Sequence, residues 1–216
     1  KEQCRPFDAT RQGLNLGEGA AYIILECTDK AKFRGASIEG YIGGYGNHCD
    51  AYHQTATSPN GEGAYLAMNA ALKMGKISTS CIDYINAHGT GTPNNDQSES
   101  VALQRLFGEE IPPVSSTKSY TGHTTSASGS IETVISLISM QNDFIPTNIP
   151  WNEKCKDCIA PYIGNEKQKL HFVLCNSFGF GGNDSSVLLS DEEIILNDIE
   201  LTDCCIVSES EITSIL

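Results

Sequence analysis

His88, Lys118 and His123 are the residues of this chain whose types and settings are suited to chemistry. His88 follows the strand-like run Ile82–Ala87 and opens onto Gly89-Thr-Gly-Thr-Pro93. Lys118 and His123 stand five apart, just ahead of a run of small residues from Ser126 to Ser130. Small side chains let other backbone approach closely, and a glycine such as Gly122 permits a conformation other residues resist. A histidine in such a turn can show one ring nitrogen to a ligand while the other is fixed by a hydrogen bond. Two neutral imidazoles aimed at one oxygen would stabilise an enolate, each fixed donor being worth about 3 kcal/mol. The plainer alternative is a strand-to-helix connection with an incidental histidine.

Each of these groups needs a strand or hairpin to carry it. Ile82–Ala87, the run opening at Val114 and His171–Asn176 read as strands, the last entering the Gly-rich turn Ser177-Phe-Gly-Phe-Gly-Gly-Asn183 and leaving through Ser186–Leu189. Ser37–Tyr45 alternates and is Gly-rich, as a further strand would be. Helices are predicted over Ala64–Lys73, over the segment after Pro93, and from about Ile131 to Met140. Strands alternating with helices imply a mixed α/β layered fold, and in such folds strand ends converge on one crevice where ligands bind. Asp96 and Glu99 fall in a first helical turn, where acidic residues suit the helix dipole. His53 and Thr55 sit in a polar loop, for which the plain reading is surface exposure. Leu16-Gly-Glu-Gly to Glu26 repeats the design of the 178–190 hairpin, a Gly turn between strands, with Tyr22–Leu25 read as a strand buried on both faces. That weak repeat suggests two similar halves, of which the second is complete here and the opening hairpin ends the first.

Composition narrows the classes. At 216 residues with 39% hydrophobic content and 20 glycines, the chain can build a substantial globular core. A net charge of −13 argues against nucleic acid, whose phosphates need a basic surface. The acidity is concentrated after Asp191, in a stretch read as an appended tail over 191–216. No apolar run is long enough to span a membrane. Nine cysteines without a signal pattern suggest free thiols in a reducing compartment, the cytoplasm. Cys155-Lys-Asp-Cys158 is a lone C-x-x-C with no second pair for a zinc site, so no metal is assigned. The start at Lys1 suggests a piece of something longer.

Five motifs carry a resemblance: RPFD at 5–8, DAYHQTATSP at 50–59, NAHGTGTPNND at 86–96, SSTKSYTGH at 115–123 and NSFGFGGN at 176–183. In order and spacing, along about residues 5–190, the sequence resembles the β-ketoacyl-acyl carrier protein synthases of the thiolase-like superfamily. The resemblance implies a thiolase-like layered fold, its C-terminal half with a mixed five-stranded sheet and helices, preceded by the final hairpin of the missing N-terminal half. The expected units are 1–34 (end of the first half), 35–190 (the C-terminal domain) and 191–216 (the tail).

By that resemblance, His88 and His123 hold a malonyl thioester carbonyl and promote decarboxylation. Lys118 supports them electrostatically and pairs with Glu132. Asp96 and Glu99 orient the His88 loop, and Thr90 and Thr92 hydrogen-bond a phosphopantetheine arm that arrives on acyl carrier protein. Phe180 is a gate whose N–H completes an oxyanion hole, Phe178 shapes the same loop, and His53 and Thr55 lie in a second loop beside it. The expected reaction is decarboxylative condensation in fatty acid or polyketide synthesis, with no organic cofactor and a structural monovalent cation near Asn86 and Glu132. The expected partners are acyl carrier protein and the N-terminal half or a partner chain, in a homo- or heterodimer. Two departures stand out. None of the nine cysteines lies in the strand-to-helix elbow that carries the family's nucleophile, so the chain alone is expected to be inactive. Thr124-Thr-Ser-Ala-Ser-Gly129 replaces the usual Leu-Leu-Gly-Ala-Ala-Gly, which bears on helix packing and the acyl pocket. The rival reading is a non-catalytic partner of the chain-length-factor kind; thiolase chemistry is a weaker third.

Overall fold

The computed structural model describes residues 2–194 and 204–207. Its strands and helices are β1 (Leu25–Cys27), α1 (Thr28–Phe33), β2 (Ile38–Cys49), α2 (Glu62–Gly75), β3 (Tyr84–Asn86), α3 (Pro93–Phe107), β4 (Val114–Ser115), α4 (Lys118–Thr121), α5 (Ser128–Asn142), β5 (Phe172–Gly179), β6 (Asn183–Ser190) and β7 (Cys204–Val207). The described strands form one sheet in the order β1-β7-β2-β6-β5-β3-β4. Its body is the five-stranded mixed sheet β2-β6-β5-β3-β4. There β3 runs parallel to β4 and β5, and β6 runs antiparallel to β5 and β2.

Residues alternate between the two faces, and each face packs a different set of helices. Ile85, Leu174 and Leu188 point to α2 and α3, meeting Met68, Leu72, Leu103 and Phe107. Tyr84, Val173 and Leu189 point the other way, to Leu137 and Met140 of α5. A sheet covered on both faces accounts for strands that read as continuous apolar runs.

Local chemistry sets the helix limits. Thr92 caps α3 by accepting from the Asn95 N–H at 3.3 Å, and Pro93 takes the first helical position, where its missing N–H costs nothing. α5 tolerates buried hydroxyls because they turn back on the helix itself. Thr133 donates to Gly129 O at 2.7 Å, Ser136 to Glu132 O at 2.8 Å and Ser139 to Ile135 O at 2.8 Å. The glycines of β2 exist for α2. A Cβ at Gly46 would lie 2.0 Å from Ala67 O, and one at Gly44 2.3 Å from Ala71 O.

Two parts differ from expectation. The strand expected at Tyr22–Leu25 begins only at Leu25, and Tyr22 is 91% exposed rather than buried on two faces. A strand exists through its ladder, and among the described residues the partner of this segment is β7, along three residues. Residues 4–17 run instead as a strap across the domain, with Phe7 fully buried in the α2–α3 core. The expected tail is also more than an appendage, since β7 pairs with both β1 and β2. The rest of that tail, 195–203 and 208–216, lies outside the described residues.

Candidate active site

The parallel pairing of β3 with β4 and β5 brings three strand ends to one side of the sheet. His88 follows β3, Lys118 opens α4 just after β4, and Phe178 lies near the end of β5. The His88 and His123 rings meet edge to face with centroids 5.3 Å apart, and Phe178 lies 5.7 Å from His88 on another side.

The His88 loop is held from beneath by two buried carboxylates. Glu99 accepts the His88 N–H at 2.9 Å and the Gly89 N–H at 2.8 Å, with Asn176 Nδ2 adding a third contact at 3.3 Å. Burial pushes the Glu99 carboxyl up to about 7 against the pull of those donors. Asp96 accepts from the Gly91 N–H at 3.1 Å and the Phe7 N–H at 2.8 Å, tying the loop to the strap. Both carboxylates are therefore structural anchors of the loop, beyond any benefit to the helix dipole. Thr90 and Thr92 share an Oγ–Oγ hydrogen bond of 2.8 Å, and Thr90 is buried.

His123 is fixed by the strap and by the turn that follows it. Its N–H donates to Asn15 O at 2.7 Å, and its carbonyl accepts from the Gly17 N–H at 3.1 Å. That crossing requires glycine on both sides. A Cβ at Gly17 would fall 2.1 Å from Thr121 O, and Gly122 holds φ +69° with Gly17 N 2.8 Å from where its Cβ would be. The Thr125 N–H donates to His123 Nδ1 at 3.2 Å, and Ser128 Oγ lies 2.8 Å from the same nitrogen. In a neutral ring the nitrogen that accepts cannot carry the proton, so Nε2 holds it and is a donor. Thr125 and Ser128 belong to the departure from the family pattern and its immediate surroundings, and here they set this tautomer.

Both rings are neutral near pH 7. Burial, reinforced by the Lys118 charge, brings His123 down to about 4; burial, Lys118 and His123 hold His88 well below the ordinary range. Lys118 itself is 1% exposed and ion-paired with Glu132, also 1% exposed. Burial pushes the Glu132 carboxyl up while Lys118 opposes it. Beside this pair, Asn86 donates to Glu132 O at 3.5 Å, yet Asn86 Oδ1, Glu132 Oε2 and His88 Nδ1 have no hydrogen-bond partner among the described residues.

Phe180, at the tip of the β5–β6 hairpin, is 76% exposed, and it is Phe178 whose ring lies beside His88. The 50–58 loop does lie against that hairpin: Gly181 N–H donates to Gln54 O at 2.8 Å, and Asp50 N–H to Gly182 O at 3.1 Å. His53 and Thr55 are both exposed, and His53 Nδ1 accepts from the Thr55 N–H at 3.1 Å. Sequence reasoning missed three groups here. Asn176 bridges Glu99 to Ser186, Arg11 reaches Asp96, and Asp184 sits behind the hairpin with Oδ1 unpartnered. Burial and the nearby Asp50 and Glu99 push Asp184 up to about 7. Only Asn176 lay inside a noted motif; Arg11 and Asp184 gave no sequence signal that distinguishes them from surface charges.

The thiols on these elements are poorly suited to attack. Burial pushes Cys175 up to about 12 and, with Asp96, Cys4 up to about 11. Cavities of about 550 and 500 Å³ lie elsewhere, beside Pro112–Val114 and beside Ala20–Ile24. What the site provides is two neutral rings in contact, one with its N–H donor assigned, kept neutral by burial and by a buried cation beneath them.

The profile described as beta-ketoacyl synthase, C-terminal domain, matches residues 39–152, more than half of the chain. A relative in Schizosaccharomyces pombe, named as a mitochondrial 3-oxoacyl-(acyl-carrier-protein) synthase, is 41% identical over 196 residues, covering 87% of this chain and 46% of its own length. The chain thus spans about half the length of the curated relatives it matches. Among solved structures, the ishigamide ketosynthase/chain length factor superposes with a TM-score of 0.84 at 34% identity, over 89% of this chain and 48% of that one. A type II polyketide ketosynthase in complex with its acyl-carrier protein gives 0.82 at 30% identity, over 88% and 48%.

Proposed function

The chain belongs to the beta-ketoacyl synthase family, and from that premise we propose that it is the C-terminal half of a 3-oxoacyl-acyl-carrier-protein synthase. In this reading the complete protein joins malonyl-carrier protein to an acyl thioester by decarboxylative Claisen condensation, in fatty acid or polyketide synthesis. The observation that carries it is the neutral His88–His123 pair, with Nε2 of His123 as donor.

The chemistry follows from the charges. When the malonyl carboxylate leaves as carbon dioxide, its electron pair moves to the thioester and the carbonyl oxygen becomes an enolate. N–H donors of His88 and His123 stabilise that oxygen in place, without solvent reorganisation. Burial, reinforced by the Lys118 charge, keeps both rings unprotonated, so no proton is delivered to the enolate before its carbon attacks. The attacked acyl carbonyl sits on a cysteine that we place in the N-terminal half, and the Phe180 N–H is the assigned donor to its oxyanion. Thr90 and Thr92 line the approach of the phosphopantetheine arm, and the loops of His53 and Phe180 gate the acyl site. Asn86 Oδ1 and Glu132 Oε2, buried acceptors without donors, fit a small monovalent cation. Such an ion would satisfy those two oxygens and would take no part in bond making. Segment 1–34 then closes the first half, and 35–190 is the catalytic C-terminal domain. The partners are acyl carrier protein and the N-terminal half or a second chain, in a homo- or heterodimer. Among the described residues no helix is long and apolar enough to cross a membrane. We place the protein in the cytoplasm; finding it in mitochondria, as the S. pombe relative is named, would overturn that placement.

The test replaces His123 by Ala in the complete protein and follows labelled carbon dioxide from malonyl-carrier protein. Loss of one oxyanion donor is expected to slow release about 10²–10³-fold; an unchanged rate refutes the assignment. The similarity to a ketosynthase/chain length factor pair favours one second reading, a non-catalytic partner chain. It requires that the complete native protein release no carbon dioxide and carry no cysteine at the elbow of its first half.

A further inference from the structure

The condensation leaves one pair of reactive groups unused. Cys155 and Cys158 end a four-residue turn through Lys156 and Asp157. Such a turn keeps its end Cα atoms within about 7 Å, and a disulfide spans about 4.4–6.8 Å. Both thiols are free and nearly buried, 7% and 6% exposed. Arg11 donates from Nη1 to Cys155 Sγ at 3.0 Å. The same guanidinium is locked by Asp8 O at 3.0 Å and Pro93 O at 3.3 Å, so its charge cannot swing away. Cys158 lines, with Lys154, the cavity of about 550 Å³.

The two sulfurs are unequal. Burial works to raise Cys155, but donation from Cys158, the Asp157 N–H and Arg11 together bring it below the ordinary thiol value. Burial, then its hydrogen bond to Cys155, pushes Cys158 up to about 12. A low nucleophile backed by a protonated resolving thiol is the arrangement of a redox pair. Zinc is disfavoured: it needs four ligands, Arg11 already occupies Cys155, and no group of three ligands exists among the described residues.

We propose that Cys155 and Cys158 form a dithiol site that a small hydroperoxide oxidises to an internal disulfide, with Cys155 as the attacking sulfur. Near-complete burial admits a molecule close to the size of water and excludes bulky disulfides. The Cys155 thiolate attacks one peroxide oxygen, the O–O bond breaks, and the departing hydroxide takes a proton to become water. The product is a sulfenic acid on Cys155. Cys158 then attacks that sulfur, its proton joins the departing hydroxyl, and a second water leaves as the S–S bond forms. Two thiols and one peroxide thus give one disulfide and two waters.

The native protein is treated with hydrogen peroxide, its remaining thiols are alkylated, and tryptic peptides are read by mass spectrometry. Trypsin cuts after Lys156, so the disulfide shows as two peptides that separate on reduction. The linked pair is expected to form at least about tenfold faster than oxidation of Cys4 or Cys175, whose thiols are raised. Cys158→Ser should accumulate a Cys155 sulfenic acid that dimedone traps, whereas Cys155→Ser should leave Cys158 unlabelled. Arg11→Gln should slow oxidation by about tenfold through lost thiolate. Absence of the linked pair, labelling of Cys158 in Cys155→Ser, or an unchanged rate in folded Arg11→Gln overturns the proposal. None of these readouts depends on condensing activity.

Discussion

Replacing Lys118 by Met tests the buried ion pair directly. Lys118 and Glu132 are each 1% exposed, and Glu132 Oε2 has no other partner to fall back on. Removing the cation leaves an uncompensated carboxylate, at a cost of about 3–5 kcal/mol. With a urea slope of about 2 kcal/mol per molar, the unfolding midpoint should fall by about 2 M. Adding Glu132→Leu removes the stranded charge, so the double variant should recover to within about 1–2 kcal/mol of the native protein. The pH dependence has a definite sign. Burial raises the folded-state value of Glu132, and losing Lys118 removes what opposes it. The folded variant therefore binds a proton that the unfolded chain, with a carboxyl near about 4.3, does not bind. Its deficit should be smallest below that value and grow as pH rises. Urea melts of the single and double variants between pH 5 and pH 8 measure both effects. A double variant as unstable as the sum of the singles, or a deficit indifferent to pH, would refute the reasoning.

Other consequences are as concrete. The His123 ring should titrate near pH 4 by NMR and show no transition between pH 6 and 8. Because its folded value lies below the unfolded value of about 6.5, its contribution to stability is complete above that pH and declines as pH falls towards 4. Asp184→Asn should stabilise the protein increasingly as pH rises from 4 to 7 and then level off, since the unfolded carboxyl, near about 3.9, gives up its proton while the native one, raised to about 7, keeps it through that window; equal effects at both ends would dismiss the idea. Gly46→Ala should cost about 1–3 kcal/mol in a denaturant melt, because the new methyl meets Ala67 O at 2.0 Å and helix α2 must retreat.

Much of this molecule could be read from its residues. The strands carrying His88 and Phe178 and the helices after Pro93 and around Ile131 follow from periodicity and motif spacing, whereas the pairing of Lys118 with Glu132 is implied by the family resemblance alone. What escaped was contact between distant segments. No local pattern says that Asn15 and Gly17 grip His123, that Asn176 reaches Glu99, or that Arg11 touches Cys155. The strand expected at Tyr22 failed for a related reason: an apolar run states a preference, while a ladder needs neighbours, and β7 reaches only Leu25–Cys27. The same limit hid the His123 tautomer, which depends on where the Thr125 N–H points.

The strap also decides how this molecule comes apart. Phe7 is plugged into the core, Asn148 Nδ2 holds Pro6 O at 3.0 Å, Asp8 is gripped by the Glu153 N–H at 2.9 Å, and Asn15 clasps His123. Glu18, Gly19 and Ala20, just beyond, lie exposed. A protease cut there should yield two fragments on a denaturing gel but a single particle in native buffer, because the short fragment is a fitted wedge rather than a leash. Residues 4–17 are therefore built into the body of this molecule, and anyone trimming the protein to its smallest folding unit should keep them.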